Sequence, residues 1–223
     1  MCFSAPASFI ASGALAVTGV ACLRMAQPRQ RLLAAVPLLF SIQQLAEGFQ
    51  WLYLTRGSPS LILGFIFLFF AFLVWPVYMP VALYPLEEQR TAGPRLLICI
   101  GLLVSIGLLV SRLTHPFIIR VEGHSISYGL TTSFPAAYSV PLNTMIESCY
   151  LVVILIPFML AKDAFFHKFA FLIAAAAIVA RIFYDATYIS TWCFFAAVLS
   201  VLIIVYLKRE SVASARLSSK MTK

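Results

Sequence analysis

Residues 41–51 read SIQQLAEGFQW, and they sit inside RLLAAVPLLFSIQQLAEGFQWLYL, an otherwise apolar stretch long enough to cross a bilayer. Gln43 and Glu47 are four residues apart and Gln50 is seven from Gln43, so on a helix they share one face, with Gln44 beside them. An ionisable side chain inside a span costs roughly 2.5–3.5 kcal/mol on insertion scales, which makes each one a functional-site candidate. The spacing recurs. VPLNTMIESCY carries Asn143 and Glu147, and ARIFYDATY carries Arg181 and Asp185, with Tyr184 and Tyr188 nearby. Carboxylates, carboxamides and a guanidinium gathered in oil can bind a small polar or cationic ligand or a lipid head group. The same carboxylates, Glu47, Glu147 and Asp185 with Cys2 or His124, can also hold a divalent metal or do acid–base work. The plainer alternative is interhelical glue, with Arg181 paired only to Asp185 along its own helix.

Cys2 has a second chemistry. Removal of Met1 would leave a thiol next to a free amine, a possible nucleophile or metal ligand. A packed thiol, or a disulfide to Cys193, is the plainer reading. The expected ligand-binding set is therefore Gln43, Gln44, Glu47, Trp51, Asn143, Glu147, Arg181, Tyr184, Asp185 and Cys2.

The elements that position these residues follow from composition. The 223-residue chain is 62% hydrophobic and 11% charged, with a mean hydropathy of +0.96. A soluble domain is about half apolar and about a quarter charged. The expectation is an all-α integral membrane protein, a seven-transmembrane-helix bundle in one domain over 1–208, with 209–223 a disordered cytoplasmic tail. The expected helices are Ala7–Met25, Leu32–Leu54, Ser60–Tyr84, Arg95–Leu113, Tyr138–Ala161, Phe165–Tyr188 and Thr191–Leu207, each of near-spanning length. The first apolar run is followed by Arg24, Arg29 and Arg31 and reads as a retained helix rather than a cleaved signal.

Lys and Arg set the orientation. Arg24, Arg29, Arg31, Arg90, Arg95, Lys162, Lys168 and the five of the tail fall at one set of helix ends, against Arg56, Arg112 and Arg120 at the other. The positive-inside bias predicts an N-terminus outside and a C-terminus in the cytoplasm, in a plasma or inner membrane. Topology also accounts for the net charge of +8, so nucleic acid is not an expected partner. At 1.5 Å per residue, Glu47, Glu147 and Arg181 would lie about 10, 14 and 10 Å below the outer ends of their helices, in one layer.

Between the fourth and fifth helices, FIIRVEGHSISY has β-branched and aromatic runs around Glu122-Gly123-His124. That predicts an extracytoplasmic β-hairpin pairing Phe117–Val121 with Ser125–Tyr128, as a lid or a plug. Pro76 and Pro80 should bend the third helix.

Several chemistries lack their motifs. There is no HExxH, no CxxC among the five cysteines, no phosphate-binding Gly-rich loop, no GxSxG, and no mid-span Lys in the last helix for a retinal Schiff base. The three histidines, His115, His124 and His167, fall on opposite sides of the membrane and cannot form one zinc site. A transporter or channel remains a further alternative, although no internal repeat supports it. Met1-Cys2-Phe3-Ser4-Ala5, then Ala7-Ser8-Phe9, then Gln43-Gln44 with Glu47-Gly48 and Trp51, resembles an uncharacterised family of small multi-pass membrane proteins. The resemblance covers most of the chain. It implies the membrane fold and no particular activity, cofactor or ligand.

Overall fold

The computed structural model describes the backbone over residues 4–86, 92–114, 117–130 and 136–221, with side chains described there except at 92, 94, 111–114, 130, 136–147 and 214–221. The described chain is mostly helical: α1 (Ala5–Met25), α2 (Pro28–Thr55), α3 (Leu61–Leu86), α4 (Ala92–Thr114), α5 (Ala136–Leu160), α6 (Ala164–Phe183), α7 (Tyr188–Ser200) and α8 (Ile203–Met221). Two strands, β1 (Phe117–Glu122) and β2 (Ser125–Leu130), lie between α4 and α5. Five helical runs are long and apolar enough to cross a membrane: α1, α2, α3, α6 and Asp185–Ala213, which joins α7 to the start of α8. Arg95–Val110 and Ser148–Leu160, within α4 and α5, are shorter apolar stretches. Large aliphatic and aromatic side chains on the outside, such as Ile10, Val17, Ile62, Phe171 and Ile182, fit a membrane-embedded chain.

Helix starts are built from side-chain caps. Ser4, Ser60 and Asp163 accept the backbone N–H of Ala7, Leu63 and Phe165. The first two helices form an antiparallel pair held by small residues. Ser8, Ser12, Leu15, Gly19 and Cys22 line the buried face of α1. The hydroxyls of Ser12 and Ser41 each donate to the other's carbonyl, at 2.9 and 2.8 Å. A Cβ on Gly19 would stand 2.7 Å from the Leu38 backbone nitrogen, and one on Gly48 would stand 2.8 Å from the Phe9 ring, so glycine sets how closely the two helices approach.

The third helix widens by one residue just before Pro76. Residues Phe70–Val74 make a π-turn in which the Trp75 N–H bonds Phe70 O. The next residue, Pro76, has no N–H to give Ala71 O. The Tyr150 hydroxyl of α5 takes that carbonyl instead, at 2.6 Å. Pro80 likewise leaves Pro76 O without its intrahelical donor, and α4 meets it with Gly101, where a Cβ would lie 2.2 Å from that oxygen. The prolines therefore create interhelical contact points.

The hairpin forms with the expected residues and reaches slightly further. Phe117 pairs with Leu130, Ile119 with Tyr128, and Glu122 with Ser125, while Gly123 turns the chain at φ +60°. It is packed into the end of the bundle. Ile126 is buried, Tyr128 stacks on Phe67 with ring centroids 4.6 Å apart, and Ile119 and Phe117 lie against Gly64.

Two boundaries differ from the sequence reading. The break between the last two spans falls at Tyr184, where α6 ends at Phe183 and a tight turn Asp185–Thr187 opens the next helix, instead of at 188–191. TYISTW is apolar and aromatic enough to continue a helix in either direction, and nothing as strong as Pro or Gly marks the break. The stretch 209–223, expected as disordered, carries helical backbone as far as Met221. Adding residues to an existing helix avoids the cost of nucleation. Ion pairs Arg29–Glu210 and Arg209–Asp163, at 3.9 and 3.8 Å, hold the first part of that extension to the bundle.

Candidate functional site: a polar layer at the hairpin end

The polar face of α2 points into the bundle. Gln43, Gln44, Glu47 and Gln50 are each 0% exposed. Each carboxamide has a distinct partner. Gln43 Oε1 accepts the Trp75 indole N–H at 2.9 Å, tying α2 to α3. Gln44 Nε2 donates to Glu47 Oε2 at 3.2 Å. The Gln50 amide, in its satisfied orientation, brackets the Ser60 backbone, donating to its carbonyl at 2.9 Å and accepting its N–H at 3.2 Å. Gln50 therefore fastens the start of α3.

Glu47 is the centre of this layer. The Ser190 hydroxyl of α7 donates to its Oε1. Ser190 is fully buried, as is Thr191, and the Thr191 hydroxyl lies 3.4 Å from that of Thr187. Residues 187, 190 and 191 are three and four apart, so one face of this last span carries a ladder of hydroxyls up to Glu47. On the other side, Ser8 is buried next to Phe9, whose ring rests on Gly48.

Not all of the polarity is satisfied. Among the described residues, Gln44 Oε1, Ser8 Oγ and the Trp192 indole nitrogen are buried without a hydrogen-bond partner, while the Gln43 Nε2 faces the Cys193 thiol. A buried polar group left unmet costs about 1–3 kcal/mol. Towards the opposite end of the bundle, the layer gives way to an apolar cavity of about 40 Å³ lined by Phe40, Trp75, Tyr150, Trp192 and Cys193 among others. Cys193 is a free, buried thiol beside Gln43.

The side chains of seven of the ten expected site residues are described. Gln43, Gln44 and Glu47 come together, with Trp51 buried one turn beyond Glu47. Arg181 lies in the last turn of α6, which ends at Phe183, and Tyr184 and Asp185 follow it. Arg181 Nη1 pairs with Asp185 Oδ1 at 2.7 Å, and the two side chains are 49% and 71% exposed. The Arg181 guanidinium also lies over the Tyr188 ring, 5.6 Å from its centroid. The backbone of Asn143 and Glu147 is helical, but their side chains lie outside the described residues, as does all of Cys2. Ser190, Trp75, Ser8 and Trp192 are additions that the sequence reading missed. The signal for Ser190 was the polar trio Thr187, Ser190 and Thr191 at helical spacing.

A second concavity opens at the same end. A groove of about 820 Å³ is lined by Ser4, Glu122, His124, Tyr184, Asp185 and Thr187 among others. His124 and Glu122 come from the hairpin, and Asp185 from the turn that starts the last span. Among the described residues, no three His, Cys, Asp or Glu side chains converge as metal ligands.

A family model matches residues 1–218. The chain belongs to a family of unknown function, DUF6629. The match spans α1 through most of α8 and so includes both the polar layer and the groove. No curated protein and no solved structure matches the chain.

Proposed function

We propose that this is a seven-span membrane protein, with its hairpin end outside and its C-terminus in the cytoplasm, that binds a small polar or cationic ligand or a lipid head group in the layer around Glu47. One observation carries the reading. Glu47 is a fully buried acid held by Ser190 and Gln44, and the buried Gln44 carboxamide oxygen beside it still lacks a hydrogen-bond partner among the described residues. Pure glue needs only the bonds already made. The Gln43–Trp75 and Gln50–Ser60 contacts already join α2 to α3, so glue leaves the remaining polar atoms as an unrecovered cost. The α4 and α5 helices complete the seven spans in this reading, and the excess of Lys and Arg at the end opposite the hairpin supports the orientation.

Native mass spectrometry of the full chain, purified gently from its membrane, tests this. The wild type should retain a small molecule or lipid that Glu47→Gln loses, with helical content unchanged. Equal retention by both proteins would assign the layer to interhelical bonding alone.

A further inference from the structure

We propose that the groove at the hairpin end is the vestibule of the Glu47 layer and admits an organic ammonium ion. The inference rests on the reading that a ligand binds at Glu47, and it names the route and the charge class.

The route is lined by hydroxyls. Thr187 lines the groove and is itself buried, so it belongs to both places. Its hydroxyl reaches that of Thr191 at 3.4 Å, and the neighbouring Ser190 donates to Glu47. A parallel wall comes from α1. Ser4 and Ala7 line the groove, and the next residue, Ser8, is buried at the level of Gly48 with its hydroxyl unpartnered among the described residues. A ligand descending from the groove therefore meets hydroxyls on both sides before it reaches the carboxylate.

The charge class follows from how the groove's acids are used. Glu122 and Asp185 each give one carboxylate oxygen to an arginine, Arg120 and Arg181 respectively. Neither arginine is among the groove's lining residues. Exposed pairs of this kind contribute only about 0–1 kcal/mol, so they are easily shared with a third group. An ammonium group donates three N–H bonds to carboxylate, hydroxyl or imidazole acceptors, and those are the groups that Glu122, Asp185, Tyr184 and His124 supply. The half-buried apolar floor around Ala7 and Tyr184 suits the carbon atoms of the same ion.

Calorimetric titration of the purified full chain with ethanolamine, which is an ammonium ion at neutral pH, tests the proposal, with ethylene glycol as the neutral counterpart. The wild type should bind ethanolammonium and not ethylene glycol. The double variant Glu122→Gln/Asp185→Asn and the single variant Glu47→Gln should each weaken binding at least tenfold, with far-UV circular dichroism unchanged. Loss in Glu47→Gln without loss in the double variant would overturn the vestibule and leave the Glu47 site standing. Loss in the double variant alone would overturn both the route and the Glu47 reading. No binding, or equal binding of ethylene glycol, would overturn the ammonium class. Repeating the titration in nanodiscs of phosphatidylethanolamine or phosphatidylglycerol identifies the source. Competition by the former assigns a lipid head group, and equal binding in both assigns a free amine; either result supports the proposal.

Discussion

Glu47 carries two jobs that substitutions can separate. Its carboxylate accepts from Ser190 and from Gln44, so it joins α7 to α2 as well as supplying an acidic centre. Glu47→Gln keeps the shape and one acceptor oxygen. Glu47→Leu removes both acceptors, cuts the link to Ser190 and leaves the buried Gln44 N–H donor unmet at a cost of about 1–3 kcal/mol. Thermal unfolding in detergent should therefore show Glu47→Gln close to wild type and Glu47→Leu clearly less stable. Equal stability of the two variants would mean that the Ser190 and Gln44 contacts contribute little. The inward face of Gln43 and Glu47 was legible from their spacing and from the cost of a charge in lipid. Their partners were not. Trp75 is 32 residues from Gln43, and Ser190 is 143 from Glu47, and no local pattern encodes pairings at that separation. The distance of Arg181 from its helix end was not legible for a related reason: it depends on a break that sequence marks only with Tyr184-Asp185.

Among the elements, the hairpin acts as a fitted cap whose seat is Gly64. A side chain there meets Ile119 at 2.4 Å and Phe117 at 3.1 Å. Gly64→Val should lift the hairpin while the helices persist. Limited proteolysis would then cut within 117–130 in the variant and spare the wild type, with the same helical content by circular dichroism. Uncut Gly64→Val would show that the strands can slide to accommodate the added volume. The strands themselves were readable, since β-branched residues flank a glycine that must turn at positive φ. Their burial was not readable. Ser125 and Ser127 are as buried as Ile126 and Tyr128, so β2 lacks the alternation that would have marked one face as outward.

At the scale of the whole molecule, composition alone was enough for a membrane-embedded helical chain, because no other solvent tolerates so apolar a surface. Orientation is a separate matter, resting on where Lys and Arg fall between spans. It predicts that a cysteine placed at Ser58, in the α2–α3 connection, is labelled by a membrane-impermeant thiol reagent on intact cells, whereas one at Ser218 is labelled only after permeabilisation. A background with the five native cysteines replaced is needed for this. The reverse pattern would invert the protein and place the groove in the cytoplasm.

The π-turn at Phe70–Val74 has a consequence for how the gene can change length. In a regular helix, deleting one codon rotates everything beyond it by about 100°, which in a span would swing an entire face from protein to lipid. The wide turn already stores one residue more than a regular helix requires. Deleting Val74 should convert the five-residue turn into an ordinary one, with the Trp75 N–H still bonded to Phe70 O and the indole still facing Gln43. The same deletion at Phe69 or Leu83 lacks that slack. Length variants among relatives should accordingly cluster at this turn, and the Val74 deletion should fold and retain the fluorescence of a buried Trp75 where its neighbours do not.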